Sequence, residues 1–420
     1  MDFSFSADDQ AFRARARDWL AERLDGPDAP FADLRGGIRA ELAIERRRSW
    51  ERELGAGGWI GTGWAEGSLT RQWSGRGVRP GRGRPPLGVI GEHLLAPTLL
   101  RHGSPGQRER FLPGIASGTE IWCQGYSEPG AGSDLAAVRT SARLEPDGWR
   151  VSGQKTWTSL SRWADWCFVL AAPEPGSHRH HGLSLLLLPM DQPGRVEVRP
   201  IRQLDGEADF SEVFFDDARA VDVLGSPGDG WRVAMTLLSF ERGAGMLGRQ
   251  IGYARELDAV LAEAGRTGAA DDPVLREQLT RQWADLQVMR CNALRTLGTA
   301  EPGTAAVAKL LWGGWHQRLG ELGVRVLGPR GALAPGQHAP DTYELTIAQQ
   351  ALLFSRADTV YGGSDQIQRN LIAERVLGLP ASPGPATETL LTRRQIPYRG
   401  GPGHGRHTRN PPALHRRRLA

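Results

Sequence analysis

Three stretches of this chain combine glycines, hydroxyl residues and aromatic rings in a way that suits ligand contact. The first is Trp122-Cys-Gln-Gly-Tyr-Ser-Glu-Pro-Gly-Ala-Gly-Ser-Asp134. Its glycines let the backbone approach a ligand closely, and Ser127 and Ser133 can donate hydrogen bonds to ring or phosphate acceptors. On residue types alone it is a glycine-rich loop, and phosphate-cradling loops of many kinds look similar. The second is Gly153-Gln-Lys-Thr-Trp-Thr-Ser159. Here Trp157 suits packing on a planar cofactor, with a place in a protein core as the alternative. The third, Tyr361-Gly-Gly-Ser-Asp-Gln-Ile-Gln-Arg-Asn-Leu-Ile-Ala-Glu-Arg375, reads as a Gly-Gly turn capped into a helix. Free amides and the positive end of such a helix suit an acceptor atom of a ligand. A carboxylate stands apart from all three, Glu241 in Leu238-Ser-Phe-Glu-Arg-Gly243. By spacing alone it is a helix-surface carboxylate paired with an arginine.

The elements that must hold these residues change character along the chain. Ser6-Ala-Asp-Asp9 has the spacing of a capping box, and Phe12, Ala16, Trp19, Leu20 and Leu24 then recur on one helical face. A second helix is expected from about Arg39 to Leu54. Arg71 to Gly88 is an aperiodic Gly/Pro/Arg mixture that reads as disordered, with order resuming at Val89. Helix is expected again through Gln107 to Ile115. Between 119 and 224 the chain turns to short β-rich runs separated by Gly, Pro and Asp, which implies an all-β barrel or sandwich. A His-rich stretch, Ser177-His-Arg-His-His-Gly182, falls between two of these runs and reads as a solvated loop rather than a metal site. Long helices are expected over 231–264, 273–298, 304–327, 341–356 and 365–377, enough for a bundle. Helices, then strands, then helices imply segregated domains. The expected division is an N-terminal helical domain at 1–118 (irregular over 65–88), a β-barrel at 119–225, a helical bundle at 226–380 and a disordered basic tail at 381–420.

Composition narrows the class. The 420 residues suit two or three domains. The net charge of +4 is uneven: residues 381–420 hold eight Arg and one Glu, and residues 71–88 five Arg and no acid. The remainder is mildly acidic, and the basic tail lacks the aromatic interleaving expected of a nucleic-acid binder. The Arg/Gly/Pro-rich stretches at about 65–88 and 381–420 read as out-of-frame translation in a GC-rich gene. Leu183 to Met190 is far short of the roughly 20 apolar residues that span a bilayer, and the first residues lack the basic start and apolar block of a signal peptide. A cytoplasmic protein is expected. Cys123, Cys167 and Cys291 imply neither a disulfide framework nor zinc, and are expected to be small buried hydrophobes. Only two lysines, Lys155 and Lys309, stand against fifty arginines, a bias read as coding composition without chemical meaning.

Taken together and in order, YSEPGAGSD and YGGSDQIQRN resemble the acyl-CoA dehydrogenase family closely. The resemblance extends from Val89 to about Pro380, with a piece of the first helical domain. It implies a mainly α fold with a central β domain: an N-terminal helical domain, a β-barrel and a C-terminal four-helix bundle. It also implies FAD held between the β domain and the bundle, completed by a neighbouring subunit. Carried over position by position, Tyr126, Ser127 and the stretch Trp157, Thr158 and Ser159 match family residues lining the flavin ring. Ser133 matches one near the CoA and flavin phosphates, and Ser364 and Gln366 match positions touching the adenine half of FAD. Arg242 matches a residue contacting the CoA end, and Tyr361 falls on the substrate side.

The chain departs from the commonest family pattern at the base. Many members carry Glu where this chain has Gly362, whereas isovaleryl- and long-chain-type members carry it on an earlier bundle helix, matched here by Glu241. The resemblance then implies that Glu241 takes the α-proton of an acyl-CoA thioester and that a hydride passes from the β-carbon to flavin, giving a trans-2-enoyl-CoA. The thioester carbonyl is expected to accept from the Gly362 amide and a flavin ribityl hydroxyl, a form of electrostatic stabilisation. Two further departures are Asp271 to Glu277, in place of an Arg-x-x-Phe-Gly segment, and Gly328-Pro-Arg-Gly331, in place of a Gly-Gly-x-Gly turn. The implied partners are an electron-transferring flavoprotein and further subunits, as a homodimer, a homotetramer or a heterotetramer. The alternatives are a non-catalytic partner subunit of a heteromeric assembly and an acyl-CoA oxidase-like flavoenzyme.

Overall fold

The computed structural model describes residues 6–25, 28–31, 44–64, 87–173, 179–242, 249–298, 303–333 and 345–380. By contact the chain divides into Met1–Leu379 and Pro380–Ala420, and every described element belongs to the first unit. The stretch 65–86 and the tail 381–420, for which disorder and a shifted frame are expected, lie outside the described residues, as do 177 and 178 of the His-rich stretch. Leu87 and Gly88 are described and form a turn, with Leu87 fully buried in the core.

Ser6 caps helix α1 (Ala7–Leu24) by accepting from the Asp9 amide at 3.1 Å. The periodic face then packs against α2 (Ile44–Ala56) through Leu24, Phe31, Trp50, Leu54 and Ile60. Aromatic edges lock this pair, with Trp19 to Trp50 at 5.7 Å and Phe31 to Trp50 at 5.0 Å between ring centroids. A π-helical turn (Gly91–Leu95) leads into α3 (Ala96–His102), and α4 (Pro105–Ala116) starts at a capping box between Ser104 and Gln107.

Among the described residues eight strands follow: β1 (Trp122–Gly125), β2 (Ser141–Glu145), β3 (Gly148–Ser159), β4 (Trp166–Pro173), β5 (Ser184–Pro189), β6 (Val196–Ile201), β7 (Phe210–Ala220) and β8 (Asp222–Val223). Their order is β6-β7-β3-β2-β4-β5-β8, with β1 paired to β4. This corrects the expected barrel, because the end strands β6 and β8 do not pair with each other. The physical reason is legible in both. Exposed Glu197 and Arg199, with Pro200, blunt the edge of β6, and β8 has only two residues to offer. Only two parallel pairs, Ser141 to Ala172 and Ala142 to Pro173, join β2 to β4. The two halves enclose Cys123, Val151, Cys167, Val169, Leu186, Leu188, Val213 and Phe215.

The outer face of β4 and β5 is buried too. Phe168, Leu170, Leu185 and Leu187 join Leu95, Leu99, Val233 and Leu237 in the largest core. Burial on both faces is why Leu183 to Leu188 reads as an unbroken apolar run instead of an alternating one. Cys123 and Cys167 face each other in the parallel β1–β4 register and are buried, as expected. Cys291 is exposed, against expectation, because it falls on an outer position of its helix.

The last part is helical: α5 (Gly230–Arg242), α6 (Arg249–Thr267), α7 (Pro273–Gly298), α8 (Thr304–Val326), α9 (Ile347–Phe354) and α10 (Asp365–Leu371). The single helix expected over 231–264 is described as α5 and α6, with 243–248 outside the described residues. The final helix gives way after Leu371 to a π-helical turn, Ile372–Val376. Helix α8 is the axis, packed by α6, α7, α9 and α10. It approaches α9 so closely that a Cβ at Gly320 would stand 2.8 Å from Leu352 Cα. Tyr253, Leu257, Leu286, Trp312, Trp315 and Leu319 form its core. Among the described residues no helix is long and apolar enough to cross a membrane.

Candidate active site

The loop after β1 is held from beneath by a buried lysine. Lys155, on β3, donates to the Tyr126 carbonyl at 3.1 Å, the Leu170 carbonyl at 2.7 Å and Glu128 Oε1 at 2.8 Å, so all three protons have acceptors. Glu128 also accepts from the amides of Arg139 and Thr140, at 2.7 and 2.8 Å. The Thr156 amide binds the Ser127 carbonyl at 2.9 Å. Burial pulls Lys155 down to about 8 against the attraction of Glu128. Burial alone would raise Glu128, but the ammonium outweighs it and holds the carboxyl below its ordinary range. The pair is therefore ionised at neutral pH, inside the protein, under the loop.

This clamp presents Tyr126 and Ser127. The Tyr126 ring is buried, edge-on to Phe168 at 5.8 Å, and its hydroxyl has no partner among the described residues. Burial, with the Glu241 charge adding to it, pushes that phenol well above its ordinary range, so it stays a donor. Ser127 is half-buried, and Ser133, farther along the loop, is exposed.

Trp157 is not a core residue: it is 59% exposed, which removes the core alternative. A bulge puts it there. Between Lys155 and Thr158 the register with β7 slips by one residue, and Trp157 takes φ +58, a left-handed conformation that few non-glycine residues adopt. Its ring meets Phe210 edge-on at 6.1 Å. Thr158 follows, fully buried, with its hydroxyl unpartnered among the described residues, and Ser159 is half-buried.

The late motif forms a left-handed turn, Gly362 at φ +65 and Gly363 at φ +86, before Ser364 caps α10. Ser364 is half-buried and Gln366 exposed. The turn is tied down by Gln368, a residue the sequence did not single out. It is fully buried and donates to the carbonyls of Gly362 and Gly363, at 3.3 and 3.2 Å. Tyr361 donates to Asp358 Oδ1 at 2.7 Å and accepts from Arg249 at 2.9 Å. Beneath it Asp358 is fully buried and pairs with His316, whose other ring nitrogen meets Glu256 at 2.8 Å. Burial would lower His316, but these two carboxylates outweigh it and push the imidazole up to about 9.

Glu241 closes the arrangement. A Cβ built on Gly362 would stand 3.2 Å from Glu241 Oε1, and the same carboxylate is felt by Tyr126. Residues 126, 241 and 362, carried by the β1 loop, α5 and the turn before α10, therefore meet at one place. The side chain of Arg242 lies outside the described residues.

A planar, phosphate-bearing cofactor fits what this place offers. Tyr126 and Thr158 present buried hydroxyls without partners, Trp157 presents an exposed ring, and Gly130 and Gly132 leave open space where a side chain would stand. A buried polar atom without a partner is costly, so such atoms mark places that a ligand completes.

Comparison with known proteins bears on the whole chain. Residues 123–218 match the acyl-CoA dehydrogenase middle domain, and residues 228–377 the acyl-CoA dehydrogenase C-terminal domain. The chain is 52% identical over 390 residues to acyl-CoA dehydrogenase IpdE1 of Mycobacterium tuberculosis, covering 89% of this chain and 98% of that protein. It is 28% identical over 302 residues to the mitochondrial short-chain specific acyl-CoA dehydrogenase of Mus musculus, covering 69% and 70%. Among solved structures, the Tcur3481-Tcur3483 steroid ACAD is similar with a TM-score of 0.77 and 26% identity, covering 91% of this chain and all of that one. The ChsE4-ChsE5 complex from Mycobacterium tuberculosis follows at 0.73 and 26% identity, with the same coverage. The likeness reaches further into the first helices than the motifs alone imply. The chain belongs to the acyl-CoA dehydrogenase family, FAD-dependent flavoenzymes that desaturate acyl-CoA thioesters.

Proposed function

We propose that the chain dehydrogenates an acyl-CoA at the α and β carbons to give a trans-2-enoyl-CoA, with Glu241 as the base. The observation that carries this reading is the contact between Glu241 Oε1 and the Cβ position of Gly362. A carboxylate on residue 362 and one on residue 241 reach the same point from two backbone positions, so the glycine at one is matched by the glutamate at the other. Glu241 takes the α-proton. The Gly362 amide, for which no acceptor is found among the described residues, donates to the thioester oxygen as negative charge grows there. Tyr126, Ser127, Trp157, Thr158 and Ser159 hold the flavin ring, Ser364 and Gln366 the adenine end, and Ser133, Arg242 and Tyr361 the CoA thioester. FAD, when bound, supplies the acceptor for the β-hydride.

The acyl group is proposed to be a bulky, ring-bearing one derived from a steroid. One observation supports this: a structural neighbour is named a steroid ACAD. Paired names in two neighbours support a second reading, in which this chain works as one half of a heteromeric assembly. An electron-transferring flavoprotein is the proposed acceptor of the electrons.

Glu241→Gln tests the assignment. It keeps the shape and the yellow colour, and it is expected to lower the rate of flavin reduction by acyl-CoA roughly 100- to 10,000-fold. Undiminished reduction moves the base elsewhere. A panel of straight-chain and ring-bearing acyl-CoA thioesters, assayed with a dye acceptor with and without a coexpressed partner chain, decides the acyl class and the assembly.

A further inference from the structure

The only two lysines in the chain are both buried, Lys155 fully and Lys309 at 3% exposure. If arginine replaces lysine wherever either would serve, the two retained lysines mark places that need a compact ammonium rather than a planar guanidinium. Lys155 lies under the first loop of the site. Lys309, on α8, lies under the last one.

The Lys309 ammonium donates to the Asp358 carbonyl and sits over two ring faces, 4.0 Å from the centroid of Trp312 and 4.5 Å from that of Tyr361. Tyr361 is followed directly by Gly362, against which Glu241 rests. The charged groups facing the ammonium are Arg249 from α6, Asp358 from the turn before Tyr361, Asp365 from α10 and Glu241 from α5. Tyr126 and Lys309 are among the groups that face Glu241, with Arg242 next to it in the chain.

We propose that Lys309 is a positioning residue: it seats the Tyr361–Gly362 turn from below and keeps the Glu241 carboxylate ionised. The proposal rests on the reading of Glu241 as the base. A carboxylate covered by an acyl chain and a cofactor loses its hydration, which favours the protonated form and would disable a base. A cation fixed by a carbonyl and two rings opposes that drift without entering the space of the substrate.

The test reads Glu241 directly in the flavin-loaded protein labelled with carboxyl-13C glutamate. The resonance missing from Glu241→Gln identifies the group, and its shift is followed with pH. In the unmodified protein a second inflection is expected near pH 8, where burial has brought the Lys309 proton to the point of release. Lys309→Met is expected to raise the main midpoint by at least about one unit. Lys309→Arg, which carries a charge that does not titrate in this range, is expected to lack the second inflection. A folded Lys309→Met whose midpoint has not moved overturns the proposal, because a purely structural lysine lowers stability and leaves Glu241 untouched; Lys309→Gln, which also removes the charge, is read in the same way if the methionine variant does not fold. If Glu241→Gln still reduces its flavin normally, the base assignment fails on its own, separately from this coupling.

Discussion

At the scale of single residues, the site depends on groups whose roles come from burial. Lys155 and Glu128 form an ion pair with every lysine proton assigned, and such pairs are costly to break on one side. Lys155→Met leaves Glu128 ionised, buried and short of its cation. We expect a loss of about 3–5 kcal/mol in chemical denaturation and a protein that purifies with little or no flavin. A yellow variant of ordinary stability would show that the loop after β1 holds itself. The sequence displayed both residues but not their function: Glu128 reads as one more letter of a glycine-rich loop, and Lys155 as part of a codon bias. Lysine scarcity was the available signal, and its meaning appears only when both lysines prove to be buried.

At the scale of elements, short irregularities do most of the positioning. One extra residue in β3 turns Trp157 outward, and two left-handed glycines turn the chain before α10. Gln368 holds that turn by its two carbonyls from inside a helix of only seven residues. Gln368→Leu keeps the volume but cannot donate. The expected cost is about 1–3 kcal/mol of stability, together with a ten- to hundredfold fall in kcat from a displaced Gly362 amide. Steady-state kinetics on flavin-saturated enzyme check it; an unchanged kcat means that the turn needs no tether. Glycines and the capping serine announced this turn in the sequence, because left-handed backbone and helix starts have strong residue preferences. The tether was not legible, since a glutamine within a helical run has no distinguishing neighbour.

At the scale of the whole molecule, a buried polar chain runs through the helical part, from Tyr361 through Asp358 and His316 to Glu256. The folded pKa of His316, about 9, lies above the ordinary value of 6.5. The folded state therefore holds a proton that the unfolded state releases. The stabilisation is complete below about pH 6.5 and disappears as pH rises through about 9. Lys155 and Lys309 act with the opposite sign, since burial lowers the folded pKa of each to about 8, but only above that pH. Between pH 6.5 and 8 His316 dominates among the described groups. Over that window the stability advantage of the unmodified protein over His316→Asn is expected to shrink with pH, from a maximum on the order of 3 kcal/mol. Urea melts at several pH values measure it, and a constant difference would mean that the imidazole is neutral in the fold.

By itself the sequence determined the elements and the family, because helix periods, turn residues and loop chemistry are local and leave a local record. Ser6 caps where a cap is spelled, and YSEPGAGSD and YGGSDQIQRN lie in the two loops they announce. Whether the strands close was not recorded, since closure depends on what two edges far apart in the chain offer each other, and β6 and β8 offer little. Only the tertiary structure decided that residues 126, 241 and 362 share one point. Their meeting is set by how α5 packs on β5 and how α8 carries the last turn, and no spacing along the chain encodes such a distance.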